Sequence, residues 1–168
     1  MSSISTTPLH ANGFVVQVHG SIMEVMNDPS AMAELKQQWM RSPVMIFRRQ
    51  CLDEPDLVRF TEYFGRCETS GRKDIQSPYH EQIIYFSTLK YNDGRFVGGF
   101  AGGEDVDWHS VQTFQVRPAT GAILYGTEVP RDGGDAAGLL RDAGIGCRLA
   151  GLLFWRGDGV LPPLRDGD

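Results

Sequence analysis

Apolar positions recur along this chain with two different periods. Met32, Leu35 and Trp39 stand three and four residues apart behind Asp28-Pro29, a spacing that places them on one face of a helix with a carboxylate cap and proline in its first turn. An amphipathic helix is therefore predicted, ending near Ser42-Pro43. Asp53 repeats the device, with Pro55 in the first turn, a stripe of Leu57, Phe60 and Phe64, and Gly65 as a stop, so a second helix is expected there. Between the two, VMIFRR (Val44 to Arg49) is an apolar run with β-branched and aromatic character, which predicts a buried strand. FVVQV (Phe14 to Val18) predicts a shorter strand ahead of the first helix.

Further along, IIYFSTLKY (Ile83 to Tyr91) and RFVGGF (Arg95 to Phe100) flank Asn92-Asp93-Gly94, residues that suit a tight reversal, and a hairpin is expected. ATGAILYGTEV (Ala119 to Val129), bounded by Pro118 and Pro130, reads as one more apolar strand. From Arg131 onward the chain contains no Lys, Glu, Ser, Thr, Asn, Gln, Tyr, Met or His. The only element expected in that tail is a short helix from Ala143 to Phe154, whose glycines each cost about 1 kcal/mol relative to alanine.

Composition narrows the classes of function. A chain of 168 residues, 41% hydrophobic and 22% charged, has the size and composition of one globular domain. The net charge of -5 argues against nucleic acid or an anionic membrane as partner, because a polyanion needs a concentrated basic patch and the nearest candidate, Arg48-Arg49, is too short. No apolar run approaches the roughly 20 residues that cross a bilayer, and the start has neither a basic head nor an apolar signal core. A cytoplasmic location is expected. The three cysteines, Cys51, Cys67 and Cys147, are far apart and form no CxxC pair, which fits reduced, buried thiols better than disulfides or a zinc site.

Candidate chemistry centres on WHSVQTF, Trp108 to Phe114. In a strand, residues two apart share a face, so His-x-Asp would aim an imidazole and a carboxylate at one point, two of the three ligands of a 2-His-1-carboxylate iron site. Here Val111 stands where that carboxylate would be. A lone His beside a Trp is more often a hydrogen-bonded core or surface residue. Asp105 and Asp107 are nearby acids that would serve as a replacement ligand or simply as solvated loop residues. Gly98-Gly99 and Gly102-Gly103 form no phosphate loop, as no Lys-Ser/Thr follows.

The run Asp107-Trp108-His109-Ser110, Thr113-Phe114, Arg117-Pro118, Gly121 to Tyr125, Val129-Pro130 and Gly133-Gly134-Asp135 closely resembles the taurine dioxygenase family, Fe(II)- and 2-oxoglutarate-dependent oxygenases. The resemblance runs from about Phe14 to Asp135 and includes VMIFRR and FTEYFGR. It implies an α+β protein built on a double-stranded β-helix, or jelly roll. That fold is expected to be incomplete here, with N-terminal helices packed on the sheet. Residues 1–135 would form the N-terminal part of the domain, and 136–168 a divergent tail, poorly ordered or a short helix.

The resemblance further implies that His109 is a metal ligand, that Fe(II) and 2-oxoglutarate are the cofactors, and that a small, often anionic molecule is hydroxylated. Tyr79 and His80 fall where some relatives place substrate-contacting side chains, a solvated loop being the alternative. Several departures are evident. Val111 replaces the ligating Asp, Ala136 replaces the Thr that contacts 2-oxoglutarate, and no His follows His109. An impaired, truncated dioxygenase is expected on these grounds, with a tail either translated out of frame or natural to a shortened relative. The alternative is a catalytically inactive or binding-only protein. Self-association through uncovered sheet edges is also expected.

Overall fold

The computed structural model describes residues 4–87, 89–99, 116, 119–127 and 151–156, the last of these by backbone alone. In chain order the elements are β1 (Ser5–Pro8), β2 (Val15–His19), α1 (Ile22–Met26), α2 (Pro29–Arg41), β3 (Val44–Arg48), α3 (Glu54–Glu62), β4 (Gly121–Tyr125) and β5 (Gly151–Arg156). Two compact units arise. One comprises Met1–Cys51 with Gln112–Asp168, the other Leu52–Val111.

The first unit is a mixed five-stranded sheet in the order β1-β2-β3-β5-β4. β2 and β3 run parallel, Val15 opposite Val44 and Val18 opposite Phe47. Parallel neighbours need a crossover, which α1 and α2 supply. α2 forms as the sequence predicts: the Asp28 carboxylate accepts from the amides of Ser30 (2.8 Å) and Ala31 (3.2 Å), Pro29 occupies the first turn, and Ala31, Met32, Leu35 and Trp39 are its buried residues. β3 is buried from Val44 through Phe47. Alternate residues of a strand face opposite sides, so this run is covered on both faces. Each such side chain contributes about 1.5–3 kcal/mol through burial.

The tail departs from expectation. Where the sequence reading expects a poorly ordered tail or a short helix through Phe154, Gly151–Arg156 is a strand, antiparallel to β3 on one side and to β4 on the other. GLLFWR combines a weak helix interior with an unbroken apolar run, and a place between two apolar strands favours extension. Residues 143–150 of that predicted helix lie outside the described residues. Two elements have no counterpart in the sequence reading, β1 and α1. Polar STTP of β1 shows no apolar alternation, and the five-residue α1 is too short to declare a period.

In the second unit α3 begins on Asp53, whose carboxylate accepts from the Asp56 amide at 2.8 Å, and buries Phe60, which meets Phe64 edge-on at 5.3 Å between ring centroids. The predicted reversal at Asn92-Asp93-Gly94 forms. Gly94 takes φ 84, its amide bonds the Tyr91 carbonyl, and Lys90 pairs with Phe96. Its flanks are not a continuous hairpin, however: Ile84 pairs with Gln76, and Phe86 pairs with Gly99 in the parallel sense. Ile84, Phe86, Leu89 and Phe96 are exposed, so no buried face holds a long register.

Candidate functional site

The best-defined polar constellation in the second unit joins the first turn of α3 to the loop that carries Tyr79 and His80. Asp53 and Pro55 start the helix and thereby place Glu54 in its first turn. Ser77, almost completely buried, donates from Oγ to Glu54 Oε2 at 2.6 Å. The Tyr85 hydroxyl donates to Glu54 Oε1 and lies 3.2 Å from Ser77 Oγ. Ser77 Oγ in turn accepts from the backbone amides of Tyr79 (3.1 Å) and His80 (3.2 Å). The loop closes through the Ser77 amide on the Ile83 carbonyl and the Ile83 amide on the His80 carbonyl. Burial, then the Glu54 acceptor, push the Tyr85 hydroxyl above its ordinary range.

This arrangement holds a loop; it does not make a nucleophile. The Ser77 proton goes to the Glu54 carboxylate, but the oxygen's lone pairs are taken by two backbone amides, so none faces outward to attack a substrate. What the clip presents is the turn at Tyr79, whose side chain is 81% exposed, with His80 half-buried beside it. Tyr79 and His80, neighbours in the chain, both lie on this fastened turn. Glu54, Ser77 and Tyr85 were not singled out from sequence. Glu54 lies 23 residues from Ser77 and 31 from Tyr85, a separation across which no local sequence pattern links them.

His109, Val111, Asp105, Asp107 and Ala136 lie outside the described residues. Among the described residues no three His, Cys, Asp or Glu side chains gather into a group able to hold a metal ion. Nor is any helix of the described residues long and apolar enough to cross a membrane. The thiols correct one expectation. Cys51 is exposed, at the open start of the segment before α3, and not buried; Cys67 is half-buried, its thiol pushed up by burial and then by Glu62. Cys147 lies outside the described residues.

Comparison with known proteins bears directly on the segment around His109. The model of the taurine catabolism dioxygenase TauD, TfdA family matches residues 5–137. Pentalenolactone F synthase of Streptomyces avermitilis is 28% identical over 132 residues, covering 78% of this chain and 42% of that protein. The alpha-ketoglutarate-dependent 2,4-dichlorophenoxyacetate dioxygenase of a Burkholderia species is 28% identical over 144 residues, covering 79% and 47%. Among solved structures, a taurine dioxygenase from Burkholderia xenovorans superposes with a TM-score of 0.60 at 25% identity, covering 79% of this chain and 43% of that one. A second B. xenovorans protein, described as an alpha-ketoglutarate-dependent taurine dioxygenase, gives 0.58 at 22% identity, covering 78% and 43%; at that identity it bears on the fold alone.

Proposed function

Because the chain belongs to the taurine dioxygenase (TauD, TfdA) family, we propose that it carries the N-terminal part of an Fe(II)- and 2-oxoglutarate-dependent dioxygenase, an incomplete jelly roll whose iron site is impaired. It spans less than half the length of the relatives it matches, 42% and 47%, so activity and substrate belong to this proposal. The observation that carries it is one short stretch inside the matched segment: His109 kept, with Val111 two residues on.

A ligating carboxylate supplies a hard oxygen and a negative charge that offsets the divalent ion. Valine supplies neither and fills the space with methyl groups. Position 136, Ala here, likewise lacks a hydroxyl to offer 2-oxoglutarate. The residues at these positions therefore do not fit the group that the family holds there, and no reaction step is assigned to this chain through it.

Incubation of the purified protein with Fe(II), ascorbate and 2-oxoglutarate tests the reading. No succinate above a metal-free control is expected; steady succinate release would overturn the impairment. Titration with Mn(II) without oxygen is expected to give no binding heat. Val111→Asp should restore a measurable affinity, because His-x-Asp in an extended stretch, as the sequence reading expects, would put an imidazole and a carboxylate on one face. A binding-only role is the second reading. It is favoured by the built Ser77 turn, on which Tyr79 and His80 are proposed to contact a small substrate.

A further inference from the structure

At the C-terminal ends of the parallel strands β2 and β3, Gln17, Val18, His19, Gly20, Arg48 and Arg49 line an open cleft of about 280 Å³. Its polar side chains are joined in series. Arg48 donates from Nε to Gln17 Oε1 at 3.1 Å, Gln17 Nε2 lies 3.3 Å from His19 Nδ1, and His19 Nε2 lies 2.9 Å from Thr7 Oγ1. With the Gln17 amide donating to Nδ1, the ring proton sits on Nε2 and goes to Thr7. Arg48 thereby commits one N–H and keeps its terminal nitrogens for another partner.

The positive charge of the cleft has no paired countercharge among the described residues. Among the described residues the ion pairs are Arg72 with Asp74 and Arg95 with Asp93, and neither Arg48 nor Arg49 has an acidic partner. Its walls are also fixed. Gln50 donates from Nε2 to the carbonyls of Gly20 (3.0 Å) and Arg48 (2.9 Å), and its Oε1 accepts from the Ile22 amide at 2.9 Å. Between the tied carbonyl of Arg48 and Gln50 itself, Arg49 adopts φ 57, a left-handed conformation that non-glycine residues rarely hold without a surrounding constraint.

We propose that this cleft binds a doubly charged tetrahedral oxyanion: a phosphate group, free or carried as a monoester. Two guanidinium forks balance two negative charges and offer more donors than the two oxygens of a carboxylate can accept, whereas a tetrahedral anion presents oxygens to both. A chain of net charge -5 gives such an anion no general attraction, so binding rests on this local pair. The site uses none of the residues assigned to iron or substrate, and its test is independent of them.

The experiment titrates 15N-labelled protein with inorganic phosphate at constant ionic strength, following the amides of Gly20, Arg48 and Arg49 and the arginine Nε–H signals. Saturable shifts confined to these groups, in the millimolar range, are expected. Arg49→Gly removes one fork while relieving the positive φ, so it should weaken phosphate binding about tenfold with an unchanged or higher Tm. Arg48→Gln should weaken it as well. Glycerol phosphate binding more tightly than inorganic phosphate would identify a monoester as the ligand, and weaker binding would identify the free ion. Non-saturating shifts, equal shifts with chloride, acetate binding as tightly as phosphate, or both variants binding like the parent would each overturn the proposal.

Discussion

One hydroxyl, that of Ser77, serves a carboxylate and two backbone amides at once. Ser77→Ala removes these part-buried hydrogen bonds and should lower unfolding stability by about 0.5–1.5 kcal/mol in a urea titration; a change near zero would mean that water replaces the hydroxyl. Tyr85 adds a pH dependence with a definite sign. Its hydroxyl titrates higher in the folded chain than the ordinary value of 10.0, so above that pH the folded state holds a proton that the unfolded state has lost. Stability contributed by Tyr85 is complete below pH about 10 and declines as pH rises toward the folded value. Tyr85→Phe should flatten this alkaline fall in stability, as read from Tm between neutral and alkaline pH. Gly98 marks a third sensitive position. At φ 88, an added Cβ would run into the Tyr85 carbonyl, so Gly98→Ala should destabilise by about 1–3 kcal/mol.

Elements that announce themselves through local chemistry were legible in the sequence. Both long helices start on an aspartate whose carboxylate takes free amides and have proline in the first turn. Asp28→Ala should accordingly cost about 1 kcal/mol in thermal or urea unfolding. β3 was legible for a different reason: a strand buried on both sides must be apolar throughout, and VMIFR is. The remainder depended on partners that no local pattern names. LLFW in β5 becomes extended because β3 and β4 flank it, and those strands lie far away in the chain. The Glu54–Ser77–Tyr85 clip is similar: three ordinary polar residues acquire a role only when the helix start and the loop meet. His109 was legible as a family-like residue through its neighbours in sequence. The turn that carries Tyr79 and His80 lies where the sequence reading expected a loop, but what fastens it was not legible.

For the whole molecule, the decisive feature of the sheet is that its order places β1 and β4 at the edges among the described residues. β1 is four residues long, polar and ends in Pro8, features that blunt an edge against further pairing. β4 carries no charge, proline or polar run within its own residues. It is GAILY, and Leu124 on it is half exposed. Among the described residues one side of this apolar strand is unpaired, and such an edge is a template for a second chain. The purified protein should therefore self-associate with rising concentration in sedimentation velocity, and Leu124→Lys should shift it toward monomer by placing a charge on that edge without disturbing the β5 pairing. Equal association by parent and variant would move the contact elsewhere, most directly to the exposed aromatic and aliphatic groups at Phe86, Leu89 and Phe96, where Phe86→Ser provides the corresponding control.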